Sequence, residues 1–123
     1  MIAMASASRS EQETARCFGI DAEDGHAAVL VERCGAESQS AEWYSLDESG
    51  LDALAARIAK CGGRARVCVS SRGERSLDVA GRVTRCPLVE LLLLFERNRP
   101  PCAGNAAQAV HAAELARSAQ RAL

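Results

Sequence analysis

With 123 residues, 48% of them hydrophobic and 25% charged, the chain is long enough for one compact domain and too apolar to be disordered. Its net charge of −1 hides an asymmetry: residues 1–60 carry 11 acidic and 5 basic side chains, whereas residues 61–123 carry 5 acidic and 10 basic ones. No apolar run exceeds Leu91 to Phe95, too short for a bilayer, and residues 1–14 lack the basic start and apolar middle of a signal peptide, so the expectation is a soluble cytoplasmic protein without a membrane partner.

Residues 1–14, rich in Ser, Ala and Glu, read as a disordered tail, leaving 15–123 as a single domain. Cys17 to Asp21 then reads as a short strand ending in a carboxylate. Asp24-Gly25 is a hairpin dipeptide, because glycine tolerates the positive φ of tight turns, and Ala27 to Val31 returns as a second strand. After the polar turn Gly35 to Ser40, a third strand is expected around Glu42 to Leu46. It carries the sole aromatic pair, Trp43-Tyr44, read as core or interface.

Ser49 is the expected cap of a first helix, with Asp52 three residues later. Leu51, Leu54, Ala55 and Ile58 form its apolar stripe, and Gly62-Gly63 supplies the stop. Ala65 to Val69 reads as a fourth strand, Ser70 to Gly73 as a loop, and Leu77 to Val83 as a second helix. Pro87 to Phe95 fits either a helix opened by Pro87 or a strand from Leu88 to about Leu91 followed by a helical turn. The strand is preferred, since it completes a βαβ crossover from Ala65. Pro100-Pro101 ends this unit. Asn105 then caps an alanine-rich helix to the C-terminus, whose small side chains permit close packing.

The order βββαβαβα is that of an α/β, ribonuclease-H-like domain: a mixed sheet with helices packed on its faces. A ferredoxin-like fold would instead place a helix directly after the first strand. The six cysteines (Cys17, Cys34, Cys61, Cys68, Cys86, Cys102) include no closely spaced metal-binding pair and read as reduced thiols, Cys17 and Cys68 as buried ones. Arg64, Arg66, Arg72, Arg75, Arg82 and Arg85 face only Glu74 and Asp78 in sequence, which marks a candidate nucleic-acid-binding segment. No aromatic interleaves with them, and the plainer reading is that the acidic and basic halves neutralise each other in the fold.

Phe18-Gly19-Ile20-Asp21 resembles the opening motif of DEDD-type insertion-sequence transposases and the related pilin-gene invertases. In that family the aspartate is the first of four metal-binding acids in a ribonuclease-H-like (RuvC-like) domain, so the resemblance makes Asp21 a candidate metal ligand. The family's second acid, a glutamate ending a strand, corresponds to Ser70 in Val67-Cys68-Val69-Ser70-Ser71-Arg72-Gly73. Its last two acids lie three apart on a helix. Gln108-Ala109-Val110-His111-Ala112-Ala113-Glu114-Leu115-Ala116 keeps that helix's Ala and Leu-Ala frame, with Gln108 and His111 in place of the acids. The resemblance covers Cys17 to Arg117 and does not reach the family's C-terminal portion with its catalytic serine.

Two-metal phosphoryl transfer needs several carboxylates to hold two magnesium ions. Asp21 supplies one, Ser70 and Gln108 only neutral oxygens, and His111 a nitrogen better suited to a transition metal. Glu74, Glu23 and Asp24 are the acids near enough in sequence to substitute. Neither histidine, His26 or His111, belongs to a recognisable nucleophilic triad: Ser70 and Ser71 lack the Gly-x-Ser-x-Gly frame, and Cys68 sits inside a strand. The expectation is therefore a catalytically degenerate domain without a cofactor, serving as a protein-interaction or assembly module or homodimer, with DNA as a second partner through the arginine segment. An active magnesium-dependent nuclease or recombinase fragment using Asp21, and a small α/β adaptor of a secretion or pilus apparatus, are the alternatives.

Overall fold

The computed structural model describes residues 16–23, 25–95 and 105–121. The tail expected over 1–14, Asp24, Pro100-Pro101 and Cys102 lie outside the described residues, as does the capping side chain of Asn105. The elements run β1 (Arg16–Asp21), β2 (Ala27–Cys34), β3 (Glu37–Ser38), β4 (Glu42–Ser45), α1 (Glu48–Ala59), β5 (Ala65–Ser70), α2 (Ser76–Val83), β6 (Val89–Leu94) and α3 (Asn105–Arg121). Apart from the short β3, this is the expected order, and two strands besides β1 precede the first helix, unlike a ferredoxin-like chain.

All six strands join one mixed sheet in the order β3-β2-β1-β5-β6, with β4 also on β2. β1 is antiparallel to β2 and parallel to β5, and β6 extends the parallel half. The fold is thus α/β with helices on both sheet faces, consistent with the ribonuclease-H-like class. Strand alternation sorts the side chains. Phe18 and Ile20 of β1 join Leu30, Leu54, Ile58, Val67, Val69 and Val79 in the main core with α1 and α2, each buried large side chain contributing about 2 kcal/mol. Cys17, Gly19 and Asp21 turn to the opposite face, where Cys17 and Cys68 pack with Leu115 and Ala119 of α3.

Three local readings are corrected. The cap of α1 is Asp47, not Ser49: its carboxylate accepts the Gly50 N–H at 2.7 Å and the Ser45 hydroxyl at 2.9 Å, while Ser49 lies exposed within the first turn. β6 runs on to Leu94 without a helical turn, because Leu93 and Leu94 continue the register against Val69 and Ser70. β3 arises inside the supposed turn after β2. Leu30 pairs with Glu42 but Arg33 with Ser38, so Gln39, Ser40 and Ala41 stand opposite only Val31 and Glu32. The extra residue is a bulge that splits one edge strand into β3 and β4. Gly25 (φ 77°) and Gly62 (φ 69°) take the left-handed conformations that the hairpin and the helix stop require.

Candidate functional site

Gly19 lets α3 lie directly on β1. A Cβ there would overlap the carbonyl oxygen of Ala112 and the amide nitrogen of Ala116, so the helix backbone rests where a side chain would otherwise stand. Gln108, His111, Ala112, Leu115, Ala116 and Ala119 are the buried stripe of that helix, at spacings of three and four. Close docking of the alanine positions brings the two polar members of the stripe onto the carboxyl end of β1.

There Asp21 is fully buried. Its Oδ1 lies 2.9 Å from His111 Nδ1, and its Oδ2 accepts from Gln108 Nε2 at 3.2 Å. Gln108 and His111 are themselves 1% and 2% exposed, so this polar cluster is closed off from water. Two residues beyond Asp21, Glu23 makes an ion pair with Arg72 Nε at 3.5 Å. One ligand atom each from Asp21, Glu23 and His111 falls within 4.8 Å of the others.

Ser70, in the place of the family glutamate, is fully buried at the end of β5, on the same sheet face as Asp21. Its hydroxyl oxygen accepts the Arg72 N–H at 3.2 Å, and the Ser76 hydroxyl donates to the Arg72 carbonyl. This loop presses against the β1–β2 turn: a Cβ on Gly73 would come 2.8 Å from Glu23 Cα. Arg72 is thereby held over Glu23.

The donor set fits hard magnesium ions poorly. Magnesium demands near-octahedral oxygen ligation, whereas both oxygens of Asp21 are engaged by nitrogen groups, Glu23 carries a guanidinium, and Ser70 is committed to the loop backbone. Glu74 is exposed and does not turn inward as a substitute acid. What the arrangement provides is a buried carboxylate hydrogen-bonded on both oxygens, the condition under which burial of a charge is tolerated. Cys68 is buried as expected, and burial pushes the Cys17 thiol above its usual value. His26 is exposed.

The six arginines do not gather into one patch, although Arg75, Arg82 and Arg85 share a groove with Glu48 and Asp78. Arg66 lies on the α3 side of the sheet, reaching Glu90 at 3.1 Å and the Ala119 carbonyl at 3.4 Å. Arg72 pairs with Glu23. Arg75 and Arg82 belong to the opposite layer, where Arg75 meets Asp78 at 2.6 Å and Arg82 meets Glu48 at 2.7 Å and also Asp52. Arg64 and Arg85 are exposed. The acidic half supplies partners for only two of these arginines, Arg72 and Arg82, while Arg66 and Arg75 pair with Glu90 and Asp78 of the basic half itself.

Sequence reasoning missed Glu32. Its nearly buried carboxylate binds Arg16 and Arg57, each at 2.9 Å, and Arg57 also reaches Glu42 at 3.0 Å. Against the lowering effect of burial, the hydrogen bonds to Glu32 and Glu42 hold Arg57 above its ordinary value. The signal was the acid's place at an inward position of an apolar strand, Val29 to Val31 being buried on either face before it. No family model matches the chain, and no curated protein matches its sequence.

Proposed function

We propose that the protein is a catalytically degenerate ribonuclease-H-like domain, related to the N-terminal domains of the transposases and invertases, that acts in the cytoplasm as a protein-interaction or assembly module. One observation carries this reading. Gln108 and His111, standing at the positions of the family's paired acids, hydrogen-bond both oxygens of Asp21 and fill the place where metal ligands would converge. The framework that would position a catalytic centre is kept while its remaining carboxylate is hydrogen-bonded within the protein. Dispersal of the arginines among carboxylates favours a protein partner over DNA as the main one.

A second reading, a metal-dependent nuclease built on Asp21, draws support from the approach of Glu23 to Asp21 and His111. Fluorescent single-stranded, duplex and branched DNA, titrated across salt with and without Mg²⁺ or Mn²⁺, separates the two. The degenerate domain leaves every substrate intact and binds weakly at moderate salt. Metal-dependent cleavage that Asp21→Ala abolishes would overturn it.

A further inference from the structure

The two edges of the sheet are built differently. The β3/β4 edge is broken by the bulge and bears Glu37, Ser38, Gln39 and Glu42, devices that discourage further pairing. The β6 edge is unbroken and carries a single charged residue, Glu90. Val89-Glu90-Leu91-Leu92-Leu93-Leu94 has leucine or valine on both faces, the pattern of a strand flanked on both sides, yet among the described residues it stands last in the sheet. Leu93 is 38% exposed and Phe95, just beyond, 75%.

The free edge has a defined register. The Ala65 N–H donates to the Leu88 carbonyl at 3.0 Å and the Ser71 N–H to the Leu94 carbonyl at 2.9 Å. Even-numbered residues of β6 therefore direct their backbone groups to β5, and the N–H and C=O groups of Val89, Leu91 and Leu93 point outward.

We infer that the occupant of this edge is a second copy of the same chain, paired antiparallel about a two-fold axis at Leu91; this deepens the interaction-module reading and rests on it. In that register Val89 stands opposite Leu93 of the second copy and Leu91 opposite its own counterpart, so each pair exchanges both backbone hydrogen bonds. Every outward group of the strand is satisfied, and the exposed Leu93 is covered by an apolar neighbour. Leu94 and Leu115 line a groove of about 330 Å³ between β6 and α3.

Charge agrees with the same register. Glu90 is the only ionisable residue of β6, and it falls opposite Leu92 rather than its own counterpart. Its carboxylate, 58% exposed beside Arg66, projects on the groove side, whose rim carries Arg117 and Arg121. Among the described residues neither arginine is in an ion pair, and the two outnumber Glu114, the one acid lining the same groove, so the second copy brings an acid to a rim of opposite sign.

The test is the solution mass of the full chain, by light scattering or sedimentation under reducing conditions at tens-of-micromolar concentration. The wild type is expected at twice the 13.0 kDa chain mass. Leu93→Pro, which removes an outward N–H and leaves the ladder to β5 intact, is expected to run as a monomer with unchanged circular dichroism. Leu93→Lys, a charged edge that needs no backbone change, is expected to do the same. A monomeric wild type, or a dimer that both substitutions leave intact, overturns the inference. The DNA-cleavage assay on the same samples keeps the two readings apart: cleavage lost in Asp21→Ala defeats the degenerate-domain reading whatever the mass, and a monomer without cleavage defeats only the dimer.

Discussion

His111 Nδ1 sits 2.9 Å from Asp21 Oδ1 in the buried interior, joining residues ninety positions apart in sequence. With the Gln108 amide on the other oxygen, this contact makes burial of the carboxylate tolerable and ties the last helix to the first strand.

Removing one donor leaves a buried oxygen without a partner. His111→Leu is expected to lower stability by about 3 kcal/mol, most of it the cost of the stranded carboxylate. In a double-mutant cycle with Asp21→Asn, urea unfolding should report a coupling of about 1 kcal/mol or more. Additive losses would show that the pair is not energetically linked.

Gly19→Ala tests the close approach of α3. The added methyl meets helix backbone, which no side-chain rotation relieves, so a loss of about 3 kcal/mol or more is expected. Amide exchange should accelerate in α3 before it does in α1. A silent Gly19→Ala would mean that the helix can lift without penalty.

Two acids on neighbouring surfaces should behave differently. Glu32 is 5% exposed and serves Arg16 and Arg57, so Glu32→Ala is expected to cost about 2 kcal/mol, less than a fully buried pair because Arg16 is 45% exposed. Glu90, 58% exposed with a single arginine partner, should lie within about 0.5 kcal/mol of wild type in the monomeric Leu93→Pro background. Chemical denaturation of both variants checks the contrast.

The helix cap gives a pH signature. Hydrogen bonds from the Gly50 N–H and the Ser45 hydroxyl hold the Asp47 carboxyl below its usual range. A depressed carboxylate stabilises the folded state above its unfolded pKa of about 3.9 and loses that contribution as pH falls through the folded value. Asp47→Ala should therefore melt lower than wild type near neutrality, and the gap should narrow below about pH 4. A gap independent of pH would assign the loss to helix geometry rather than to the charged cap.

Much of this molecule was legible in its residue pattern. The short strand-like run Cys17 to Asp21, ending in a carboxylate, and the stripe of Leu51, Leu54 and Ile58 placed β1 and α1, which share the main core. Asp21, Gln108 and His111 were singled out by their motif frame, and α3 brings them into contact. The true cap of α1 was hidden because Asp47 and Ser49 are both good capping residues, and only the approach of Ser45 decides between them. The bulge was hidden because its residues are polar and exposed and carry no face signal. Arg72 over Glu23 depends on how two loops meet, which spacing along the chain does not encode.

The chain order of α3 has a consequence for synthesis. The strands and the layer of α1 and α2 are complete by Leu94, but among the described residues the opposite face is covered only by 105–121, which follow. A growing chain thus carries an assembled half-domain with an open carboxylate and uncovered apolar strand positions, and it closes only once α3 has emerged and docked. Interruption of translation before that point would leave an adhesive intermediate, one that chaperones rather than the protein's own packing must keep apart.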